Sequence, residues 1–453
     1  MAYKNLKHYR HTVHIYLDAI WRQGVHTNKA RTAMYKWLSV QMNLPFEKTH
    51  VRMFNREQCR QAIKILRPKY MQLYGRDIYW ENKKKGKCIM KIKTELLQEM
   101  VAKAIKGAGN NQMLPITSYM GILLQDKILT LMTTDGSNQL RIKNEIELDP
   151  MEGPTEQQKF YTIVNADTFS KLVGKTTKEF IELTNRENYL EVSGNGTYKL
   201  EIAVNEDGEI VKFPDYNFSA TVEGKKISIE DLTNALITSK ASVAKTMEVP
   251  CLTGVYLADD IISTDRQMVC TISNKLVDEP VLISSELAEL IQLLTGETVE
   301  LYKEDNKLLF TTDKVVIYGK ELEGKDIYPV QPIIDLVKLE YNNTIKVNKQ
   351  DLLNVLDRMS LFVTDYDKNG VFLKFGPQFK ITSQKSNAVE DIAYEADSKE
   401  LTEFECLVDI DMLRAQVESV STELVELHYG QPKSLKIVDG NCTLVVSLLD
   451  KDN

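Results

Sequence analysis

Four side chains near the N-terminus have the types a metal centre would need. His11 and His14 stand three positions apart, and His50 and Cys59 follow. Zinc takes imidazole nitrogen and thiolate sulfur, so the residue types are right. The short cysteine pair that usually completes such a set is missing: the six cysteines stand at 59, 88, 251, 270, 406 and 442. That scatter fits free thiols in a reducing cytoplasm, and the histidines read as core and surface residues. No metal and no cofactor are expected. Acid–base chemistry has an equally thin basis. Asp135 and Asp265 each close a run ending in Thr-Asp, and each reads as a turn former whose carboxylate accepts local backbone hydrogen bonds. There is no Ser-His-Asp set, Walker loop or Gly-rich dinucleotide motif. No residue is assigned a catalytic role, and an enzyme is not expected.

Positive charge is a stronger signal. Arg56, Arg60, Lys64 and Arg67 recur at spacings of three and four, which puts them on one face of a helix. Cys59, Ile63, Leu66 and Tyr70 form the apolar face of the same helix. Such a stripe suits a nucleic-acid backbone, or the acidic remainder of the chain. The net charge of -7 hides a split: residues 1–87 hold 19 Lys/Arg and 5 Asp/Glu, leaving 38 basic and 59 acidic residues beyond them. All three tryptophans and five of the six histidines also fall before residue 88. The shift marks a domain boundary, with Glu81 to Lys87 as the linker. No apolar run is long enough to span a bilayer, and the N-terminus lacks the apolar core of a signal peptide.

The elements that position these residues come in two textures. Before residue 88 the pattern is helical, with apolar stripes over 11–23 and 29–42 and a third helix over 55–74. Asn55 and Gln58 have the spacing of a capping box. Beyond residue 88 the chain repeats a unit of strand, helix and several strands. Leu129 to Asp135 and Asp260 to Asp265 carry the same pattern 130 positions apart, each after an amphipathic helix and a first strand (116–124 and 252–257). The first helices are expected over 94–107, 230–245 and 348–362, with Ser228 and Asn348 as caps. The second helices are expected over 166–172, 285–294 and 411–420. Connections with Pro and Gly fall near 206–225 and 320–343. Each unit is thus roughly two halves of strand, helix and three strands, and helices on one face of antiparallel sheets make an α+β layer.

These residues carry a resemblance. Residues 88–453 resemble the beta sliding clamp of bacterial replicative DNA polymerase. Leu114-Pro115-Ile116 is similar to the Leu-Pro-Ile of the first clamp domain. Leu252-Thr253-Gly254 is similar to the Leu-x-Gly of the second, and Ser263-Thr264-Asp265 to its Ala-Thr-Asp. Gly319 to Lys325 resembles the segment that closes the second domain. After Thr-Asp the family has Gly-His-Arg-Leu where this chain has Arg266-Gln267-Met268-Val269. Its C-terminal Val-Met-Pro-Met-Arg-Leu appears as Val446-Ser447-Leu448-Leu449. Residues 1–75 resemble the helical part of a domain found in phage-associated zinc-finger proteins, without that family's paired cysteines.

The resemblance implies a three-domain DNA-clamp architecture, with helices lining a ring and sheets outside, plus the small helical domain. Clamp domains are expected over 88–220, 221–342 and 343–453, after an accessory domain of 1–87. The implied function is a processivity factor that encircles double-stranded DNA, as a head-to-tail homodimer ring. Its implied partners are a replicative DNA polymerase and a clamp loader, with no membrane. Lys103, Lys106, Lys171, Lys175, Lys240, Lys245, Arg358 and Arg414 are then candidates to face phosphates inside the ring. By position, Leu252, Thr264, Val269, Pro332, Val445 and Leu448 line a groove for partner peptides. Two other readings stay open: a non-ring DNA-binding regulator working through the basic domain, and an enzyme with a site between domains.

Overall fold

In the computed structural model the described residues are 6–21, 28–74, 89–146, 160–186, 188–205, 210–215, 218, 223–364, 366, 368–396, 402–431 and 433–450. The chain divides into two units, Met1–Tyr216 and Asn217–Asn453. The expected linker 81–87 and the boundary at 220/221 lie outside the described residues.

The first unit opens with α1 (Leu6–Trp21), α2 (Asn28–Met42) and α3 (Arg56–Tyr74). Their apolar stripes meet in a core of their own. Val13, Leu17, Leu38, Phe54, Cys59 and Leu66 are fully buried there, each removed from water at a gain of about 1.5–3 kcal/mol for the large side chains. The capping box forms as the spacing predicts. Asn55 Oδ1 accepts from Gln58 N–H, and Gln58 Oε1 accepts from Asn55 N–H, both at 2.9 Å.

The first repeat follows. Its first half is β1 (Ile89–Lys93), α4 (Thr94–Ala104), β2 (Tyr119–Gln125), β3 (Ile128–Thr134) and β4 (Gln139–Glu145). Its second half is β5 (Phe160–Asn165), α5 (Ala166–Gly174), β6 (Phe180–Asn185), β7 (Tyr189–Ser193) and β8 (Thr197–Glu201). The halves exchange their leading strands: β1 joins β6, β7 and β8, while β5 joins β2, β3 and β4. All these pairs are antiparallel. The exchange ties the two halves into one body, because neither sheet closes without the other half's strand.

The second unit holds two more copies of this plan. One is β9 (Lys225–Ser228), α6 (Ile229–Ser239), β10 (Gly254–Leu257), β11 (Ile261–Thr264) and β12 (Met268–Ile272), then β13 (Val281–Ser284), α7 (Ser285–Ile291), β14 (Thr298–Glu304), β15 (Lys307–Thr311) and β16 (Val315–Lys320). After α8 (Val330–Val337) the other copy begins. It comprises β17 (Asn343–Asn348), α9 (Lys349–Met359), β18 (Gly370–Phe375), β19 (Phe379–Ser383), β20 (Val389–Ile392) and the short β21 (Tyr394–Glu395). Its second half is β22 (Phe404–Asp409), α10 (Ile410–Ser419), β23 (Leu424–Gln431), β24 (Ser434–Asp439) and β25 (Cys442–Ser447). Leading strands are exchanged in both copies, and β12 pairs with β25. The second and third repeats thereby share one nine-stranded sheet.

Five of the six halves start their helices in the same way; in the remaining one Lys93 precedes α4 without a side-chain cap. Asn165, Ser228, Ser284, Asn348 and Asp409 end their strands and cap the helices that follow, each accepting a backbone N–H of the first turn. Such a cap contributes about 1 kcal/mol. The backbone repeats too: the N–H groups of Thr94, Ile229 and Lys349 donate to the carbonyls of Glu179, Glu297 and Glu423.

Several element ends differ from the sequence expectation. The strands placed at 116–124 and 252–257 begin later, after 3-10 turns at Pro115–Ser118 and Pro250–Thr253. Each proline opens its turn, where its fixed φ suits a helical start and its missing N–H costs nothing. The helices expected to reach 245 and 362 end at Ser239 and Met359 and tighten into single 3-10 turns. The 320–343 connection contains α8. Pro332 is tolerated there because it stands in the first turn.

Candidate nucleic-acid interface and partner surface

The first helices of the three repeats bury equivalent faces: Leu97, Met100 and Val101 on α4, Leu232, Ala235 and Leu236 on α6, Leu352, Val355 and Leu356 on α9. Each packs on the strands of its own half. Helices also meet each other. Gln98 of α4 donates to the carbonyls of Val173 and Thr176 at the end of α5, both at 2.9 Å. In the second unit Gln416 of α10 reaches the Ser242 hydroxyl just beyond α6.

The eight cations expected on these helices divide into two groups. Five are held by acids: Lys103 by Glu99 at 2.8 Å, Lys171 by Asp167 at 2.7 Å, Lys240 by Glu289 at 3.0 Å, Arg414 by Asp357 and Glu418 at 3.0 Å. Arg358 grips Glu390 with two guanidinium nitrogens, and this pairing holds the Glu390 carboxyl below its ordinary range. Lys106, Lys175 and Lys245 are exposed, and none forms an ion pair with a described residue. Lys106 and Lys175 stand just past the ends of α4 and α5, where helix-end carbonyls favour a cation, while Lys245 lies beyond the 3-10 turn Lys240–Ser242 that follows α6.

Of the six groove positions, three come together. Leu252, Val269 and Val445 share a buried cluster with Cys251, Ile262 and Leu282, and Val269 and Val445 oppose each other across the β12–β25 pair. Tyr328 and Ile333 fill the same cluster, with Val330, Leu336 and Val337 half-buried against it. Pro332 is exposed on α8 and its neighbour Ile333 is the residue that enters the buried cluster. Thr264 serves its turn: its hydroxyl donates to Met268 C=O at 2.7 Å and accepts from Arg266 N–H. Leu448 is half-buried, with its N–H donating to Lys433 C=O, and stands outside the cluster. The apolar positions therefore lie behind α8, whose spacing of Val330, Ile333 and Val337 was the signal that could have located them.

The basic stripe of α3 is also divided. Arg56 and Arg60 both stand 5.4 Å from the centre of the Tyr9 ring, and Arg60 Nε donates to the Tyr9 hydroxyl at 3.2 Å. That hydrogen bond draws the Tyr9 hydroxyl below its ordinary range. Lys64 and Arg67 remain exposed farther along.

The Thr-Asp runs form matching turns. Asp135 Oδ1 accepts from Ser137 and Asn138 N–H, and Asp265 Oδ1 accepts from Gln267 and Met268 N–H. Both carboxylates work as turn formers, as expected.

Known proteins share this arrangement. Residues 89–214 match the family described as DNA polymerase III beta subunit, N-terminal domain. A beta sliding clamp of Mycoplasmopsis pulmonis is 22% identical over 268 residues, covering 56% of this chain and 68% of that protein. Another from Bacillus subtilis is 24% identical over 302 residues, covering 63% and 77%. The solved sliding clamp of Bacillus subtilis superposes with a TM-score of 0.69 at 20% identity, over 81% of this chain and 100% of that one. The DNA polymerase III beta subunit of Thermotoga maritima gives 0.68 at 14% identity, over 80% and 99%. The chain carries a sliding-clamp fold. The three repeats are its clamp repeats, and the helices α1 to α3 precede them.

Residues 1–69 match a zinc-finger-containing domain. The residues present do not fit the metal that description implies. Cys59 lies fully buried in the helical core, and burial pushes its thiol up to about 11, away from the thiolate that zinc requires. His50 spends Nδ1 on Arg52 N–H. Among the described residues no three His, Cys, Asp or Glu side chains gather into a possible metal site. Nor is any helix among them long and apolar enough to cross a membrane.

Proposed function

We propose that this protein is a DNA sliding clamp: two copies close head to tail around duplex DNA and tether a replicative polymerase to it. The accessory domain of 1–87 and clamp domains of 88–220, 221–342 and 343–453 make up each copy. The carrying observation is a matched pair among the sheet edges, one in each unit. Among the described residues, β8 ends its sheet in the first unit and β20 ends its sheet in the second. Unpaired edges invite another strand. Both edges carry exposed apolar side chains: Tyr198 on β8, Val389 on β20, and Leu361 and Phe362 in the turn after α9. Arg358 of α9 and Glu390 of β20 bind that helix end to the strand. A head-to-tail contact between β8 of one copy and β20 of the next repeats itself, and a ring results when the rotation closes.

Encirclement explains how an acidic body holds DNA. The ring needs no general attraction, and Lys106, Lys175 and Lys245 supply sequence-independent phosphate contacts. The protein performs no chemistry of its own. A clamp loader opens the ring, and partner segments dock near the seam of the second and third repeats, beside α8 and Leu448. The deciding test is topological. Loaded protein should stay on closed circular DNA in high salt and leave when the circle is cut. Equal loss from circles and linear fragments, with a loader present, sinks the ring. Light scattering should give a dimer.

A further inference from the structure

The helical domain carries a cleft of about 420 Å³ that the clamp function does not use. Arg31, Thr32 and Tyr35 line it from α2, Phe46 and Glu47 from a 3-10 turn, and His50 from the start of the next turn. The Tyr35 and His50 rings lie parallel, 4° apart in plane and 5.6 Å between centres. The Arg31 guanidinium stands 5.9 Å over the Tyr35 ring, and the Lys36 ammonium 5.9 Å over the Phe46 ring. Phe46 is 43% exposed, although the domain has a sufficient core without it. The cleft is also braced. His50 accepts from Arg52 N–H, and the buried Thr49 hydroxyl donates to Pro45 C=O at 2.8 Å.

The exposed Phe46 and His50 rings, with Tyr35 buried behind His50, together with cations and one carboxylate in a braced cleft, describe a particular ligand. It is flat, it stacks, it carries phosphate, and it offers an N–H to Glu47. Arg31, Lys36 and Lys48 form no ion pair with a described residue, so they remain available to an anion. We propose that this cleft binds an unpaired nucleotide of a single strand, with the base against Phe46 and the Tyr35–His50 stack and its phosphates on Arg31 and Lys36. A paired base keeps its faces inside the duplex and cannot offer them to Phe46, so the cleft discriminates single strand from duplex. The site is separate from the α3 stripe, and it stands whether or not the ring closes.

The test uses the full chain and fluorescence anisotropy with a labelled oligo-dT of roughly 15 nucleotides, a blunt duplex of equal length, and the matching oligo-rU. Phe46→Ala and Arg31→Gln change exposed side chains, so thermal melts should match the parent. Each should weaken oligo-dT binding roughly tenfold, the loss expected for one stacked base or one charged contact, and leave the duplex unchanged. Phe46→Tyr should restore binding. A parallel loss on oligo-rU keeps the inference and extends it to RNA. Equal losses on single strand and duplex overturn it in favour of a general basic surface. Parental binding by both variants, or no single-strand binding by the parent, also overturns it.

Discussion

Gln416 Nε2 donates to Ser242 Oγ at 2.7 Å across 174 positions of chain, and both side chains are fully buried. The bond joins α10 of the third repeat to the turn after α6 in the second. A buried hydroxyl left without its partner costs about 1–3 kcal/mol. Gln416→Ala should therefore lower the unfolding free energy read from urea titration by that order. Adding Ser242→Ala should cost less than the second change does alone, because the orphaned group is gone. Additive losses would show that the two side chains act separately.

In the proposed ring, the three lysines without an ion pair among the described residues should dominate contact with DNA. Changing Lys106, Lys175 and Lys245 together to Gln should flatten the log-log salt dependence of duplex binding, by about 0.9 for each phosphate no longer neutralised. Lys171→Gln should do less, since Asp167 already holds that ammonium. A steeper effect from Lys171 would reverse the assignment.

Leu448 and Leu252 should separate docking from folding. Leu448→Asp places its charge at a half-buried site, and polymerase stimulation should fall about tenfold or more with little change in melting. Leu252→Asp buries a carboxylate in the cluster behind α8 and should cost several kcal/mol. Polymerase assays read beside thermal melts distinguish the two.

His428 gives the third repeat a pH dependence. Its ring touches Thr344 Oγ1 at 2.9 Å and Glu426 at 2.8 Å, with Tyr341 and Lys436 nearby. Burial lowers its affinity for a proton below the ordinary 6.5, although Glu426 opposes the shift. The unfolded chain then binds more proton just below that pH. Stability is full above 6.5 and falls as pH drops beneath it. The melting temperature should fall from neutral pH to about pH 5.5, and His428→Gln should reduce the fall.

The sequence reveals most where a signal is local. Asn55 with Gln58, Ser228 with Asp231 and Asn348 with Asp351 mark helix starts by spacing alone, and all three caps form. Asp135 and Asp265 announce their turns for the same reason. Strand exchange between halves leaves no such mark, because pairing β1 with β6 joins residues some 90 positions apart. Ion pairing is hidden only where it is not local. Glu99 with Lys103 is a helical i,i+4 pair that spacing does announce, but nothing local joins Lys240 to Glu289 or Arg358 to Glu390. Gly107 reads as a helix stop, yet its packing is tighter than that: a Cβ there would lie 2.6 Å from Thr133 Oγ1 and 2.7 Å from Leu140 Cβ. The α2 cleft was invisible because its lining is drawn from separate elements, with no common period.

The five residue pairs between β12 and β25 have a mechanical consequence. A hinge needs a line that few bonds cross, and here a full ladder crosses it. The second and third repeats must therefore turn as one stiff arm. In the proposed ring, a loader pulling on either one would move the far edge at β20 by the same rotation, so the work of opening would be spent at the contact between copies. Amides in β12 should accordingly exchange as slowly as those in β11, with or without the loader engaged.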